Sequence, residues 1–467
     1  MKLNQISLTI FIIALSLTCH SQEKAKKINL KEFIETACQN DSNFTQILID
    51  ELKLKYKKSI ALPAKDLVFE VQSKYGFFVK PEEKDFATTS SLTKLFPSVG
   101  TEISAEYSSS VPESTRKASS GASFEISQPI AQNAFGRNTR LLDRITGLEI
   151  EVARYQIAEA YEDYLASLIV LYYSWYSAYE NLKTAENSYN ENAKLLENIK
   201  ERQENKIALP IDVNKISLQV LAKKENLVSL ENDYKDYYNR IKEALRYSGQ
   251  MNLLPEDSSY QEEAIVDFSK DIQSFKTGSR TIRILKLLED KSTLEVDKYA
   301  DELLPSIDLL FGHAWEGSQQ SIEKSINRSY AGLSFEWPFP GQVEHAQYET
   351  SKISQRKQKL ATESATERIL TSLANLNNQM QREKELIAVA EEKIKLAEEI
   401  VKDEKENYSL GRSTLNDLID EVNKLEDNKF NKITHNIQLR KLVIEWWRLS
   451  DVLIKEDEIL ADKKISK

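Results

Sequence analysis

Apolar residues recur every three or four positions along two adjacent stretches of the chain. The first stretch carries Leu165, Leu168, Tyr172, Trp175, Tyr179, Leu182, Tyr189, Ala193 and Leu196, and the second carries Val213, Ile216, Val220, Leu227, Leu230, Tyr234, Tyr237, Ile241 and Ala244. This spacing is that of a heptad seam on a long α-helix. Pro210 stands between the two seams, where it suits the first turn of a new helix. The pattern predicts two long antiparallel helices over residues 138–248.

The same pair of seams returns later in the chain, which predicts an internal repeat. Leu373 continues the pattern of Tyr172 at an offset of 201 residues, and Leu415 continues that of Val213 at 202. The predicted repeats cover residues 22–250 and 251–467. The first holds an opening helix, strands over 66–130 and the hairpin 138–248. The second holds an equatorial helix over 279–301, strands over 304–339 and a helical hairpin over 342–455.

Apolar and polar residues alternate singly in short segments of both repeats, which is the pattern of a β-strand with one apolar face. The residues predicted to lie on the apolar, lipid-facing side are Phe69, Val71, Phe124, Ile126, Leu309, Phe335 and Trp337. Residues 91–109 read as an extra hairpin without a counterpart in the second repeat. Two alternatives stay open for it: it lengthens the extracellular side, or it adds to the barrel.

The four strands of the two repeats fit either a soluble sandwich or a lipid-facing barrel. Their neighbours in the chain are long charged helices, and the sequence offers no second apolar layer for a sandwich. Alternation over about ten residues is typical of membrane barrels, whose known members begin at about eight strands. Four strands per chain cannot close such a barrel, and open edges are not tolerated in lipid. The sequence therefore predicts an oligomer, and three copies would supply twelve strands.

Composition narrows the class of protein further. The chain has 467 residues with only 12 glycines and 10 prolines, which favours long uninterrupted elements. A mean hydropathy of −0.48 excludes a bundle of membrane-spanning helices. The net charge of −10, without a basic block, argues against nucleic-acid binding.

The N-terminus reads as an export signal. Lys2 precedes an apolar run from Ile6 to Leu17, which is too short to span a bilayer and matches the core of a signal peptide. We place the signal at residues 1–21, with cleavage before Gln22. The alternative is a lipoprotein signal that ends at Cys19. Both predict export from the cytoplasm.

Catalytic and metal-binding patterns are missing from the sequence. The four histidines, His20, His313, His345 and His435, are isolated, and no paired-histidine, two-cysteine, phosphate-binding or dinucleotide-binding motif occurs. We therefore predict a protein that is not an enzyme and that holds no metal and no cofactor. Asp417 and Asp420 lie one helical turn apart and off the apolar seam. By spacing alone they belong to a solvated helix face.

Five segments together resemble the TolC-like outer membrane efflux proteins, over almost the whole mature chain. They are Asn29 to Glu35, Ser127 to Ile130, Ser279 to Arg283, Leu303 to Leu309, and Leu410 to Asp420. The resemblance implies an α+β membrane protein that assembles as a homotrimer. In it, a twelve-stranded outer-membrane β-barrel is continued by a long periplasmic α-helical barrel of coiled-coil hairpins.

The resemblance also implies a function. It is that of an exit duct of a tripartite efflux or type I secretion system, passive, placed in the cell outer membrane and extending into the periplasm. Its partners would be outer membrane lipid, a periplasmic adaptor (membrane fusion) protein and an inner-membrane pump, with no nucleic acid. The alternative is a periplasmic coiled-coil adaptor or scaffold protein, which leaves the amphipathic strands unexplained.

The resemblance assigns roles to the two hairpin tips. Adaptor contacts would come from Leu209, Pro210, Ile211, Gly411, Arg412 and Ser413. Asp417 and Asp420 would constrict the channel entrance as rings of carboxylates that attract cations. At the first tip, Lys206 stands where the family commonly has a glycine.

Overall fold

The computed structural model describes residues 26–63, 65–79, 82–112, 118–247, 249, 252–258, 268–317 and 326–454. The predicted export signal at residues 1–21 and Cys19 lie outside the described residues. In chain order the elements are β1 (Lys26–Ile28), α1 (Leu30–Asn40), α2 (Ser42–Ala61), β2 (Leu67–Val79), β3 (Glu82–Phe96), β4 (Thr101–Pro112), β5 (Ser119–Pro129), α3 (Arg137–Glu204), α4 (Pro210–Leu245), β6 (Leu253–Pro255), α5 (Phe268–Gly278), α6 (Arg280–Glu302), β7 (Ser306–Gly317), β8 (Ile326–Glu336), α7 (Gln342–Ser409) and α8 (Leu415–Leu449).

The helical pairs α3–α4 and α7–α8 have matching dimensions. Helices α3 and α7 each have 68 residues, and α4 and α8 have 36 and 35. Their first residues follow an offset of 205 residues rather than the 201 and 202 of the sequence comparison, since α3 begins at Arg137 and α7 at Gln342. A heptad seam stays nearly in phase after a shift of three or four residues, so the apolar pattern alone does not fix the offset.

The backbone supports the same offset. Left-handed φ values occur at Gly136 and Gly341, at Lys206 and Gly411, and at Arg246 and Asp451. Members of each pair are 205 residues apart. Buried positions obey it too, because Leu168, Trp175 and Ala185 correspond to Leu373, Met380 and Ala390. The corresponding turns of the two hairpins therefore share one backbone conformation.

The chain divides into two compact units, and each contains segments from both halves of the sequence. One unit comprises residues 1–45, 162–268 and 373–455, and the other comprises 46–161, 269–372 and 456–467. The first unit contains β1 and β6, which pair in parallel, together with α1, α4 and α8. The second contains the other six strands and α6.

Aromatic residues form the core of the first unit. Tyr172 and Trp175 of α3 are fully buried, and their rings meet edge to face with centroids 5.9 Å apart. Phe33 of α1 packs on Tyr172 at 5.6 Å. The Tyr172 hydroxyl lies 2.8 Å from the carbonyl of Ile28 and 2.7 Å from that of Glu256. Because these carbonyls flank β1 and β6, one tyrosine ties the small sheet to α3.

The second unit contains one antiparallel sheet in the order β2–β3–β4–β5–β7–β8. The prediction of four strands per chain is therefore wrong: six strands form the sheet. The two additional strands, β3 and β4, are the predicted extra hairpin, and they extend beyond 91–109 to Glu82 and Pro112. They lie between β2 and β5 in the order of the sheet. The twelve-strand count for three copies rested on four strands each and no longer follows.

Within the described residues, no helix combines the length and the apolar character that crossing a membrane requires.

Candidate functional site

The tip of the second hairpin is a capped turn of five residues between α7 and α8. Gly411 takes a φ of +72°, which glycine adopts without steric cost. The Arg412 amide then donates to the Asn407 carbonyl at 2.8 Å, closing the end of α7. At the start of α8, the amide of Asp417 donates to the Thr414 hydroxyl oxygen at 3.3 Å. The sequence Thr-x-x-Asp thus forms a capping box.

The first tip repeats this turn with different side chains. Lys206 takes the left-handed φ of +62° that Gly411 has in the second tip. The amide of Ile207 donates to the carbonyl of Arg202 at 2.8 Å. Leu209 supplies the N-cap without a side-chain acceptor, and the Asp212 carboxylate accepts from its amide at 3.2 Å. Lys206 therefore has the left-handed backbone conformation that glycine adopts most easily, at the place where the family commonly has a glycine.

An apolar cluster joins the two hairpins beneath their tips. Ile199 of α3, Ile216 of α4 and Leu415 of α8 are buried together, and Tyr408 and Ile419 pack against them. The Arg202 guanidinium lies over the Tyr408 ring, 4.9 Å from its centroid. This is within the range of a cation–π contact. The two tips therefore form one surface.

A buried ion pair also connects the hairpins. Lys223 of α4 contacts the carboxylate of Glu426 on α8, and both side chains are largely buried. Ser188 of α3 donates to the same carboxylate oxygen at 2.7 Å. Nearby, the Gln219 amide donates to the Asn423 side chain at 2.6 Å. Buried polar contacts of this kind fix the register between helices better than an apolar seam does.

The six tip residues predicted to contact an adaptor fall on this surface. Leu209 and Ile211 leave 64% and 56% of their area exposed. Pro210, Gly411 and Arg412 are also exposed, and Ser413 is half-buried. Two exposed apolar residues were not among those predicted, Ile207 and Leu410. Each occupies a turn rather than a seam, so no periodicity marks it in the sequence.

Asp417 and Asp420 both lie exposed on the first turns of α8. The carboxylate of Asp417 is engaged locally: it accepts from the Thr414 hydroxyl at 2.7 Å and from the Thr414 amide at 3.0 Å. These two hydrogen bonds lower the pKa of the Asp417 carboxyl. Asp417 therefore stabilises the helix start, which spacing alone did not indicate. Its counterpart in the first tip is Asp212, at the same place in the α4 cap.

The sheet of the second unit has one apolar face that crosses all six strands. Directly paired residues in an antiparallel sheet share a face, so the register defines it. One row runs Phe69, Leu92, Ala105 and Phe124. The large apolar or aromatic residues of this face include Phe69, Val71, Tyr75, Phe86, Leu92, Ile103, Tyr107, Phe124, Ile126, Leu309, Phe311, Leu333 and Phe335. The same face also carries polar residues, including Ser73, Thr88, Lys94, Ser109, Ser120, Gln128 and His313.

Six of the seven predicted lipid-facing residues lie on that face within strands. The seventh, Trp337, follows the last residue of β8 and is 54% exposed. Its ring meets Phe339 with centroids 6.2 Å apart. Phe69 and Phe335 remain 68% and 64% exposed. An exposed apolar surface of this extent is a contact surface for lipid or for another protein.

The opposite face of the sheet is polar and mainly acidic. Its charged and amide side chains include Glu70, Gln72, Lys74, Asp85, Glu102, Glu106, Glu125, Asp308, Glu316, Arg328 and Glu336. The Tyr330 hydroxyl donates to Glu125 across strands at 2.8 Å. Alternation between a mainly apolar and a mainly polar face over strands of 11 to 15 residues is typical of a membrane barrel wall.

Comparison with known proteins rests on structure. No family model and no curated protein matches the sequence. CusC, whose structures describe transmembrane channel formation, aligns with a TM-score of 0.72 at 10% identity, covering 93% of this chain and 95% of CusC. VceC, an outer membrane protein of Vibrio cholerae, aligns at 0.70 and 12%, covering 90% and 95%. CmeC, an outer membrane channel of Campylobacter jejuni, aligns at 0.70 and 11%, covering 94% and 89%.

These alignments span both units and both helical hairpins. They confirm the resemblance to the TolC-like outer membrane efflux proteins at the level of the fold. The chain has the fold of these outer-membrane proteins.

Proposed function

We propose that this chain is one subunit of a passive export channel in the outer membrane. The observation that carries the proposal is the sheet of six described strands, with one mainly apolar face and one mainly polar face. Among the described strands, β2 and β8 are paired on one side only. Open edges next to an apolar surface are unstable in lipid unless copies of the chain pair edge to edge. Closure would place the apolar face against lipid and the polar face in the lumen.

The assembly is proposed to be a homotrimer, by analogy with the TolC-like family. The helical hairpins would extend into the periplasm, and their tips would form the entrance. Exposed Leu209, Ile211 and Leu410 give the tips an apolar surface on which a periplasmic adaptor could dock. Since the sequence carries no nucleotide-binding motif, the energy for export would come from an inner-membrane pump.

The rival is a periplasmic coiled-coil adaptor or scaffold. It would explain the helices and the ion pair between α4 and α8. It does not explain why Phe69, Leu92 and Phe335 share an exposed apolar face, since a water-soluble scaffold gains nothing from it.

Cell fractionation separates the two functions. The full chain, expressed with its export signal in a diderm host, is expected in the outer membrane fraction and to resist carbonate extraction. In mild detergent it is expected as a trimer. Recovery as a soluble periplasmic protein would favour the scaffold.

A further inference from the structure

We propose that the inserted hairpin β3–β4 is part of the membrane wall, so that the trimer closes an eighteen-stranded barrel that passes bulkier hydrated solutes than a twelve-stranded one. The inference rests on the proposed trimeric channel and adds the size of its exit. Three observations carry it: the complete pairing of the hairpin, the continuity of both faces through it, and the anchoring of its turn.

The hairpin is paired along its whole length on both sides. Strand β2 pairs with β3 at 13 positions, β3 with β4 at 12, and β4 with β5 at 9. Among the described residues β2 and β5 share no pairing, so the hairpin separates them entirely. A flap outside the barrel would leave β2 and β5 in contact.

The alternation of the two faces continues through the hairpin, although Thr88, Ser109 and Lys94 also lie on its apolar side. On the apolar side, Phe86 of β3 lies between Tyr75 and Val111. On the polar side, Ser91 and Glu106 link Glu70 to Ser123. An extracellular extension in water has no need of an apolar face, yet Phe86 and Leu92 are 48% and 38% exposed. The hairpin therefore extends the exposed apolar face at Phe86 and Leu92.

The turn of the hairpin is fixed at the end of the sheet where α3 begins. The Arg140 guanidinium donates to the Ser98 carbonyl at 2.9 Å, and the Gln128 amide donates to the Val99 carbonyl at 3.0 Å. Gly100 packs so tightly against the turn before α3 that an added Cβ would lie 2.9 Å from the Gly136 amide nitrogen. The hairpin thus reaches the helical end of the sheet rather than projecting from the opposite end.

Two inserted strands also preserve closure. Adding an even number leaves the direction and the face alternation of every other strand unchanged, so β8 of one copy still runs antiparallel to β2 of the next. Three copies then give eighteen strands. Barrel diameter grows roughly linearly with strand number, so the exit would be about 1.5 times as wide as with twelve strands. Barrels of 16 to 18 strands enclose an aqueous channel.

A pair of adjacent substitutions tests the location of the hairpin. Leu92→Arg places a charge on the proposed lipid face, whereas Ser91→Arg places the same charge on the lumen face. We expect Leu92→Arg to abolish outer-membrane trimers and Ser91→Arg to form them at the wild-type level. Equal assembly of the two variants would place the hairpin outside lipid and overturn the inference.

Electron cryo-microscopy of the wild-type assembly in lipid nanodiscs tests the strand number directly. Eighteen strands from three copies are expected, and a variant lacking residues 82–112 should close with twelve. Twelve strands in the wild type, whether from three copies or from two, would overturn the inference while leaving the channel function intact. Polyethylene glycols added from the extracellular side should enter the wild-type barrel at larger sizes than they enter the deletion variant. Failure of the wild type to insert into membranes would instead contradict the proposed function.

Discussion

At the scale of single residues, Asp417 shows how a side chain at a proposed entrance can also stabilise the fold. The same carboxylate that would face the channel accepts two hydrogen bonds from Thr414. Spacing alone predicts a solvated face for this residue, because a capping box depends on where the helix begins. The Thr-x-x-Asp sequence was the available signal, but it needs the helix start to be known to within one residue.

Thr414→Ala should loosen the second tip. The substitution removes the N-cap hydroxyl, which typically costs about 1 kcal/mol of helix stability. We expect faster hydrogen exchange of the amides over residues 415–418. The matched control is Thr434→Ala, in the middle of α8, where the hydroxyl donates only to the Phe430 carbonyl. Equal effects of the two variants would contradict the capping role.

The same cap predicts the response of the tip to acid. Thr414 holds the pKa of Asp417 below its usual value of 3.8. A group whose pKa is lowered by folding contributes stability above the unfolded value, and the contribution is lost as the pH falls through the folded value. Exchange protection of the tip should therefore be constant from neutral pH down to about 4 and decrease only below 3.8. If exchange protection of the tip is already lost near neutral pH, a titratable group other than Asp417 is responsible for the loss.

Asp420 offers the cleaner test of the proposed entrance, because it takes no part in the capping box. Asp420→Asn removes one charge per chain and leaves the cap unchanged. We expect weaker block by a trivalent cation added to the periplasmic side, and lower cation selectivity, in single-channel recordings. Asp427→Asn, further along α8, is the control and should leave block unchanged. If block is unaltered in Asp420→Asn, Asp420 does not line the entrance and belongs to an ordinary solvated helix face.

At the scale of elements, the two tips use one backbone with different residues. Lys206 and Gly411 share a left-handed φ, and a residue with a Cβ pays about 1–2 kcal/mol there. Lys206→Gly should therefore stabilise the first tip, by up to about 1 kcal/mol after the larger entropy loss of glycine is subtracted. Gly411→Ala should destabilise the second tip. Thermal unfolding of the purified assembly measures both, and a lower melting temperature for Lys206→Gly would contradict the account.

The strands allow a matched test of the two sheet faces. Phe124→Glu places a carboxylate on the apolar face of β5, where a charge in lipid costs up to about 2–4 kcal/mol depending on depth. Ser123→Glu places it on the polar face. We expect Phe124→Glu to block assembly in the outer membrane and Ser123→Glu to be tolerated, as judged by trimer bands after fractionation. Tolerance of both would mean that the apolar face does not meet lipid.

The strands and helices also show which structural features can be predicted from the sequence. Alternation is a local property, so it placed Phe69, Phe124 and Phe335 on one face correctly. Pairing is not local: the pattern of residues 91–109 does not say which strands they join. The apolar pattern does not fix the repeat offset either, because a heptad seam shifted by one helical turn gives almost the same pattern. The left-handed residues, such as Lys206 and Gly411, and the positions where the helices begin distinguish the offsets.

At the scale of the whole molecule, the chain combines two units of different chemistry in one proposed export channel. One unit offers an apolar and an acidic face on a six-stranded sheet, and the other offers two capped hairpin tips. The long helices and the sheet were expected from the heptad seams and the alternating strands, and the resemblance to the TolC-like family added the architecture that joins them. The strand number was not, and it changes the expected width of the exit rather than the nature of the channel.

The most direct test of the central claim is electrical. The purified assembly, incorporated into planar lipid bilayers, should produce discrete conductance steps of uniform size. Those steps should be absent when Phe124→Glu protein is added at the same concentration. Ser123→Glu protein should conduct like the wild type. A wild-type preparation that stays folded and gives no conductance, in the presence or absence of a membrane potential, would contradict the conclusion that this protein is a membrane channel.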